Sequence, residues 1–106
     1  MTIPVKVRAL LREREDNRCA VCGMRANNAH HRKNRSQGGK DVLSNLLMLC
    51  GSGTTGCHGY ITEHPCESYT NGWSVHSWDE PALTPVLYRG SYIYLDDAGN
   101  VTEKAA

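Results

Sequence analysis

Five cysteines and five histidines in a chain of 106 residues are the groups able to hold a metal or move a proton. Cys19 and Cys22 enclose two residues and are followed by Gly23, a knuckle with a tight turn after it. Cys50 and Cys57 enclose six residues, Gly-Ser-Gly-Thr-Thr-Gly. That loop is wider than the usual two to four residues of a zinc knuckle, but its glycines and small polar residues can fold back and aim N–H groups at sulfur. Tetrahedral zinc at about 2.3 Å from each thiolate needs its sulfurs about 3.7 to 3.8 Å apart, which so pliable a loop can meet. The two pairs therefore predict a structural zinc on Cys19, Cys22, Cys50 and Cys57. The fifth cysteine, Cys66, is left over and reads as an ordinary half-buried thiol. Between and beside the pairs stand His30-His31, Asn45, and His58 directly after Cys57.

The elements that must position these groups are short. Pro4 suits a first helical turn, and Val7, Leu10 and Leu11 at i, i+3 and i+4 give a helix over Val5–Asn17 one apolar face. A strand is expected over Asn28–Lys33, a turn at Ser36–Lys40, and a buried strand over the apolar run Leu46–Cys50. From Cys57 the pattern is helical until Pro65 interrupts it, with a second short helix reaching Asn71. Thereafter Trp73–Trp78, Val86–Arg89 and Ser91–Leu95 read as strands, with turns at Arg89-Gly90 and Asp97–Asn100.

At this length one domain over residues 1–106 is expected, with roughly 65% of the unfolded surface buried. Hydrophobic residues are 40% of the chain and Phe is absent, so a metal staple is physically useful. Trp73, Trp78, Tyr88, Tyr92 and Tyr94 read first as the apolar filling that replaces Phe, and second as rings able to stack on bases. The longest apolar run falls far short of the ~18 residues of a membrane span. The N-terminal stretch meets charge before an apolar signal core forms, which predicts a cytoplasmic chain whose thiols stay reduced. Residues 1–40 hold ten Lys and Arg against three acids; residues 41–106 hold two against eight. A basic half beside an acidic half predicts a polyanionic partner on one face.

Cys19-x2-Cys22, Ala29-His30-His31-Arg32, Gly38-Gly39, Asp41-x3-Asn45-Leu46, Leu49-Cys50 and Cys57-His58 occur in an order that resembles the HNH endonuclease family. Within it the chain is most similar to small zinc-bearing HNH proteins of phages infecting actinobacteria. The resemblance covers about residues 8–64 as an HNH core, with residues 73–101 as a β extension. It implies an α+β fold: a ββα-metal core with an N-terminal helix, a four-cysteine zinc and a short C-terminal β extension. It also implies roles. His31 becomes the general base, His30 and His58 the ligands of a catalytic divalent cation, and Asn45 the residue that orients the His31 loop through its amide. The implied activity is metal-dependent cleavage of DNA, nicking or double-stranded, with low sequence specificity. The same resemblance implies a link to the phage packaging terminase, through its large subunit. The alternatives are a zinc-stabilised module that only binds DNA, or an adaptor that docks a larger protein.

Those roles make chemical sense. Imidazole has an ordinary pKa near 6.5 and can take a proton from water at neutral pH. Two imidazole ligands leave coordination positions open, and Mg2+, Mn2+, Ni2+ or Zn2+ could fill such a site. Arg32, Lys33, Arg35 and Lys40 crowd the loop after the histidines and are expected to hold backbone phosphates. One helical turn after His58 stands Thr62, a poor ligand, so Glu63 or His64 would have to reach in if a third ligand exists. Asp41 reads as a turn-capping acid, and His76 has no expected partner.

Overall fold

The computed structural model describes residues 3–104. Helix α1 spans Val5–Glu15 and stops where Asp16 and Asn17 turn left-handed, at φ 57° and 55°. Its buried stripe is not the expected one. Leu11 and Glu15 lie inside and Val7 packs against the core, an i, i+4, i+8 row, whereas Leu10 is left 40% exposed. A buried Glu15 carboxylate is tolerable because the Tyr88 hydroxyl donates to it at 2.7 Å and Arg14 pairs with it at 3.2 Å. Arg14 also donates to the Leu43 and Leu46 carbonyls, which ties α1 to the chain at residues 43–46.

The knuckle at Cys19–Gly23 leads to β1 (Asn28–His31), antiparallel to β2 (Leu46–Leu49) with His30 opposite Leu47 and His31 opposite Leu46. All four residues of β2 are buried, as a short apolar run without alternation implies. β1 ends at His31, two residues earlier than Lys33, although the Arg32 N–H still bonds to the Asn45 carbonyl at 2.8 Å. Next come α2 (Gly56–Glu63) and α3 (Pro65–Thr70), Pro65 taking the first position of α3, where no N–H is needed. The order β1, β2, α2 is a ββα unit, preceded by an N-terminal helix and followed by strands: a mixed α+β chain.

The segment Trp73–Trp78 is not a strand. It runs beside the end of β1, with one ladder-like bond from the Val75 N–H to the Arg32 carbonyl, and then turns at His76–Asp79. Strands follow as β3 (Val86–Tyr88), β4 (Ser91–Leu95) and β5 (Val101–Glu103), an antiparallel meander in that order. Arg89 and Gly90, both at positive φ, make the hairpin turn expected there. β5 has no counterpart in the sequence reading, because three exposed residues carry no periodic signal. One hydrophobic cluster joins Leu11, Leu46–Leu49 and Ile61 to Trp73, Val86, Ile93 and Leu95, so the meander closes the same core that backs the ββα unit.

Candidate metal and catalytic site

The Sγ atoms of Cys19, Cys22, Cys50 and Cys57 lie within 4.8 Å of one another, and Cys22 and Cys50 are 3.7 Å apart. That separation is the edge of a tetrahedron around zinc. The Val21 N–H points at Cys19 Sγ and the Cys57 N–H at Cys50 Sγ, each at 3.4 Å. Such donors favour thiolates. Burial works against ionisation of Cys19, but the N–H groups of Cys22, Cys50 and Val21 outweigh it and hold that thiol below its ordinary value. At Cys57, burial and then the Cys50 sulfur push the thiol up, the strain expected of four crowded sulfurs that a cation relieves. The residues fit a metal ion, and a four-thiolate set is the chemistry that suits zinc. The wide Cys50–Cys57 loop closes because Gly51 and Gly56 take positive φ, and a Cβ on Gly51 would stand 2.1 Å from the Thr55 carbonyl oxygen.

The same loop delivers His58. Its N–H bonds to the Cys50 carbonyl at 3.1 Å, and its ring meets that of His30 edge-on, centroids 5.5 Å apart. His30 donates its Nε2–H to the Trp73 carbonyl at 2.8 Å, which fixes the tautomer and leaves Nδ1 as the lone-pair nitrogen. Burial first, and then the neighbouring His58, His31 and Arg32, lower the His30 pKa to about 4, so the ring is neutral at pH 7. His58 is also lowered, by burial. Its Nδ1 is buried and has no hydrogen-bond partner, alone in this respect among described side chains. A buried ring nitrogen with no hydrogen-bond partner is chemically able to serve as a metal ligand. Two neutral imidazoles side by side, one orphaned and one held by a backbone carbonyl, fit a divalent ion.

His31 is the last residue of β1, so strand alternation no longer dictates which way its ring faces. Its Nε2–H donates to Asp41 Oδ1 at 2.7 Å. Asp41 also accepts from Arg35, and these partners, His31 first, hold its carboxyl below the usual range. Asp41 is thus the His31 partner rather than only a turn cap; its place in the Asp41-x3-Asn45 segment was the available signal. Asn45, 1% exposed, closes the loop between them. Its Oδ1 accepts from the Lys33 N–H at 2.7 Å, and its Nδ2 donates to the Lys33 and Lys40 carbonyls, both at 3.0 Å. Gly39 is needed here, since a Cβ would meet the Lys33 carbonyl oxygen at 1.7 Å.

Residues 19–59 match the family model for HNH endonucleases. That span holds both cysteine pairs, His30, His31, Asn45 and His58, and it supports nuclease-type chemistry on nucleic acid. No curated protein and no solved structure matches the chain.

Within the HNH span one expectation must be corrected. Arg32 is 1% exposed and cannot reach a phosphate. Its guanidinium donates to the carbonyls of Gly72, Ser44, Pro81 and Thr84 at 2.8 to 3.0 Å. The other three basic residues lie in or on the loop: Lys40 is exposed, Lys33 reaches the Ser77 carbonyl at 3.3 Å, and Arg35 is paired with Asp41. Beyond the span, Thr62 Oγ1 donates to the His58 carbonyl, and His64 stacks on Tyr60 while its Nδ1–H donates to the Tyr60 carbonyl. No described helix is long and apolar enough to cross a membrane.

Proposed function

We propose that the chain is a metal-dependent DNA endonuclease of low sequence specificity. The observation that carries this reading is the orphaned, buried Nδ1 of His58 beside a His30 whose tautomer Trp73 fixes. His30 and His58 would hold the divalent ion, which when bound supplies charge neutralisation at the phosphate and the leaving oxygen. His31 acts as general base through Nδ1, because Asp41 engages Nε2–H and stabilises the imidazolium that forms. Water oxygen bonds to phosphorus, the bond to the leaving oxygen breaks, and the water proton passes to His31. Asn45 keeps the loop, and hence Asp41, in register with His31. Lys33, Arg35 and Lys40 contact backbone phosphates, which gives salt-dependent affinity with little sequence preference. Zinc on Cys19, Cys22, Cys50 and Cys57 would hold the end of β2 against the start of α2, where His58 stands.

The test is nicking of supercoiled plasmid with Mg2+, Mn2+ or Ni2+. His31→Ala is expected to lower cleavage by roughly 10²- to 10⁴-fold while zinc content and DNA retention on a gel stay as in the parent. Equal cleavage by His31→Ala removes the assignment.

A further inference from the structure

Outside the histidine site lies a stack of three rings. Tyr69, from α3, lies parallel to His76 with centroids 3.9 Å apart and planes within 2°. His76 in turn lies parallel to Trp78, at 4.5 Å and 5°. Tyr69 and His76 are half-buried, but Trp78 is 78% exposed. In a chain without Phe, leaving a whole indole in water forgoes apolar burial that the small core could use. His76 covers one face of the indole, and the other face is open.

The stack is held in place next to the HNH residues. Trp78 sits in a turn closed by the Asp79 N–H on the His76 carbonyl at 3.0 Å. The segment is pinned to the residues after His31 by the Val75 N–H on the Arg32 carbonyl at 2.8 Å and by Lys33 Nζ on the Ser77 carbonyl at 3.3 Å. An oriented aromatic face therefore stands beside the lysine that follows the histidine pair. Aromatic face plus adjacent cation is the chemistry that takes an unstacked nucleobase with its phosphate. A paired base inside a duplex has no free face to offer.

We propose that Tyr69, His76 and Trp78 form a stacking platform for an unpaired DNA base, Trp78 supplying the contact face and Lys33 the adjoining phosphate contact. The platform rests on the nucleic-acid reading above but not on cleavage, and it favours single-stranded or locally opened DNA over intact duplex.

Binding of a fluorescein-labelled oligothymidylate and of a duplex of equal length tests it by anisotropy, with zinc-loaded full-length protein. Trp78→Ala is expected to weaken oligothymidylate binding roughly 5- to 150-fold and duplex binding by much less. Trp78→Phe retains most of the affinity, and the slope of log affinity against log salt is unchanged, since stacking releases no counterions. Oligothymidylate should also quench indole fluorescence in the parent more than in Trp78→Ala, where only the buried Trp73 remains. Parent-like binding by Trp78→Ala, or an equal loss on both ligands, overturns the platform. Trp78-dependent binding confined to oligouridylate overturns it for DNA. Trp78-dependent oligothymidylate binding by a protein that never nicks plasmid supports the platform and fails only the nuclease reading.

Discussion

Replacing Arg32 by Leu should unfold the site rather than strip a phosphate contact from it. The guanidinium is the common partner of four carbonyls from three parts of the chain: Ser44 before β2, Gly72 after α3, and Pro81 and Thr84 before β3. Leu fills part of the volume and satisfies none of them. Leaving a buried carbonyl without a donor costs about 1 to 3 kcal/mol. At the low end, with water entering, four carbonyls cost about 4 kcal/mol in sum. A domain of this size has about 5 to 15 kcal/mol of stability altogether, and each kcal/mol moves the melting temperature by roughly 4 to 8 °C. A fall of at least about 15 °C is expected, read by circular dichroism on zinc-loaded protein. Lys33→Ala is the contrast: its ammonium makes only one long bond at the surface, so its melt should match the parent while DNA retention weakens and loses part of its salt dependence. Arg32→Leu protein that melts within a few degrees of the parent yet fails to retain DNA would refute the reasoning and restore Arg32 to the binding surface.

Cys22 is the exposed member of the sulfur quartet, so Cys22→Ser tests the metal without opening the core as a change at Cys19 would. Zinc loss and unfolding are expected together, because binding energy at a structural zinc is folding energy; a folded, metal-free Cys22→Ser by elemental analysis and circular dichroism counts against a structural ion. Asp41→Asn should slow plasmid nicking, though less than His31→Ala, since it removes an orienting partner and leaves the base. The Asp41 carboxyl is held below its ordinary value by His31 and then Arg35, so its stabilising contribution is present above about pH 4 and lost as pH falls through its folded-state value. Melting temperature should decline less steeply below pH 4 in Asp41→Asn than in the parent, and identical acid profiles would remove the carboxylate from the site.

The cysteine pairs were legible because metal ligation leaves a spacing in the sequence, and β2 was legible because four buried residues in a row have few other uses. The histidines drew notice only as an ordered set, since strand alternation alone gives no reason to bring two adjacent residues to one site. Arg32 was misread for a physical reason. A basic residue among other basic residues looks like a phosphate contact, and nothing local says that carbonyls from residues 44, 72, 81 and 84 converge on it. Trp73–Trp78 has the composition of a strand, but strand pairing is non-local, and here a backbone carbonyl and an aromatic stack take its place. Nothing local marks Glu15 as buried, since its partner Tyr88 is 73 residues away.

The residues that match the HNH family do not by themselves fix the geometry of the HNH histidines. The Trp73 carbonyl sets which nitrogen of His30 is free, and three of the four carbonyls that anchor Arg32 lie beyond residue 59. On the other side of the core, Arg89 donates to the carbonyls of Glu15, Arg18 and Cys19, and Tyr88 satisfies Glu15, so the hairpin turn between β3 and β4 is bolted to the first knuckle. A buried imidazole with a free choice of tautomer presents its lone pair at either nitrogen, and the bond to the Trp73 carbonyl leaves it at Nδ1. A metal ion on the four cysteines would pin the ends of the short elements, but the choice of nitrogen is made by a segment after α3 that the ligand pattern never mentions. The catalytic reading of His30 therefore depends on residues 72–89 as directly as on the cysteines.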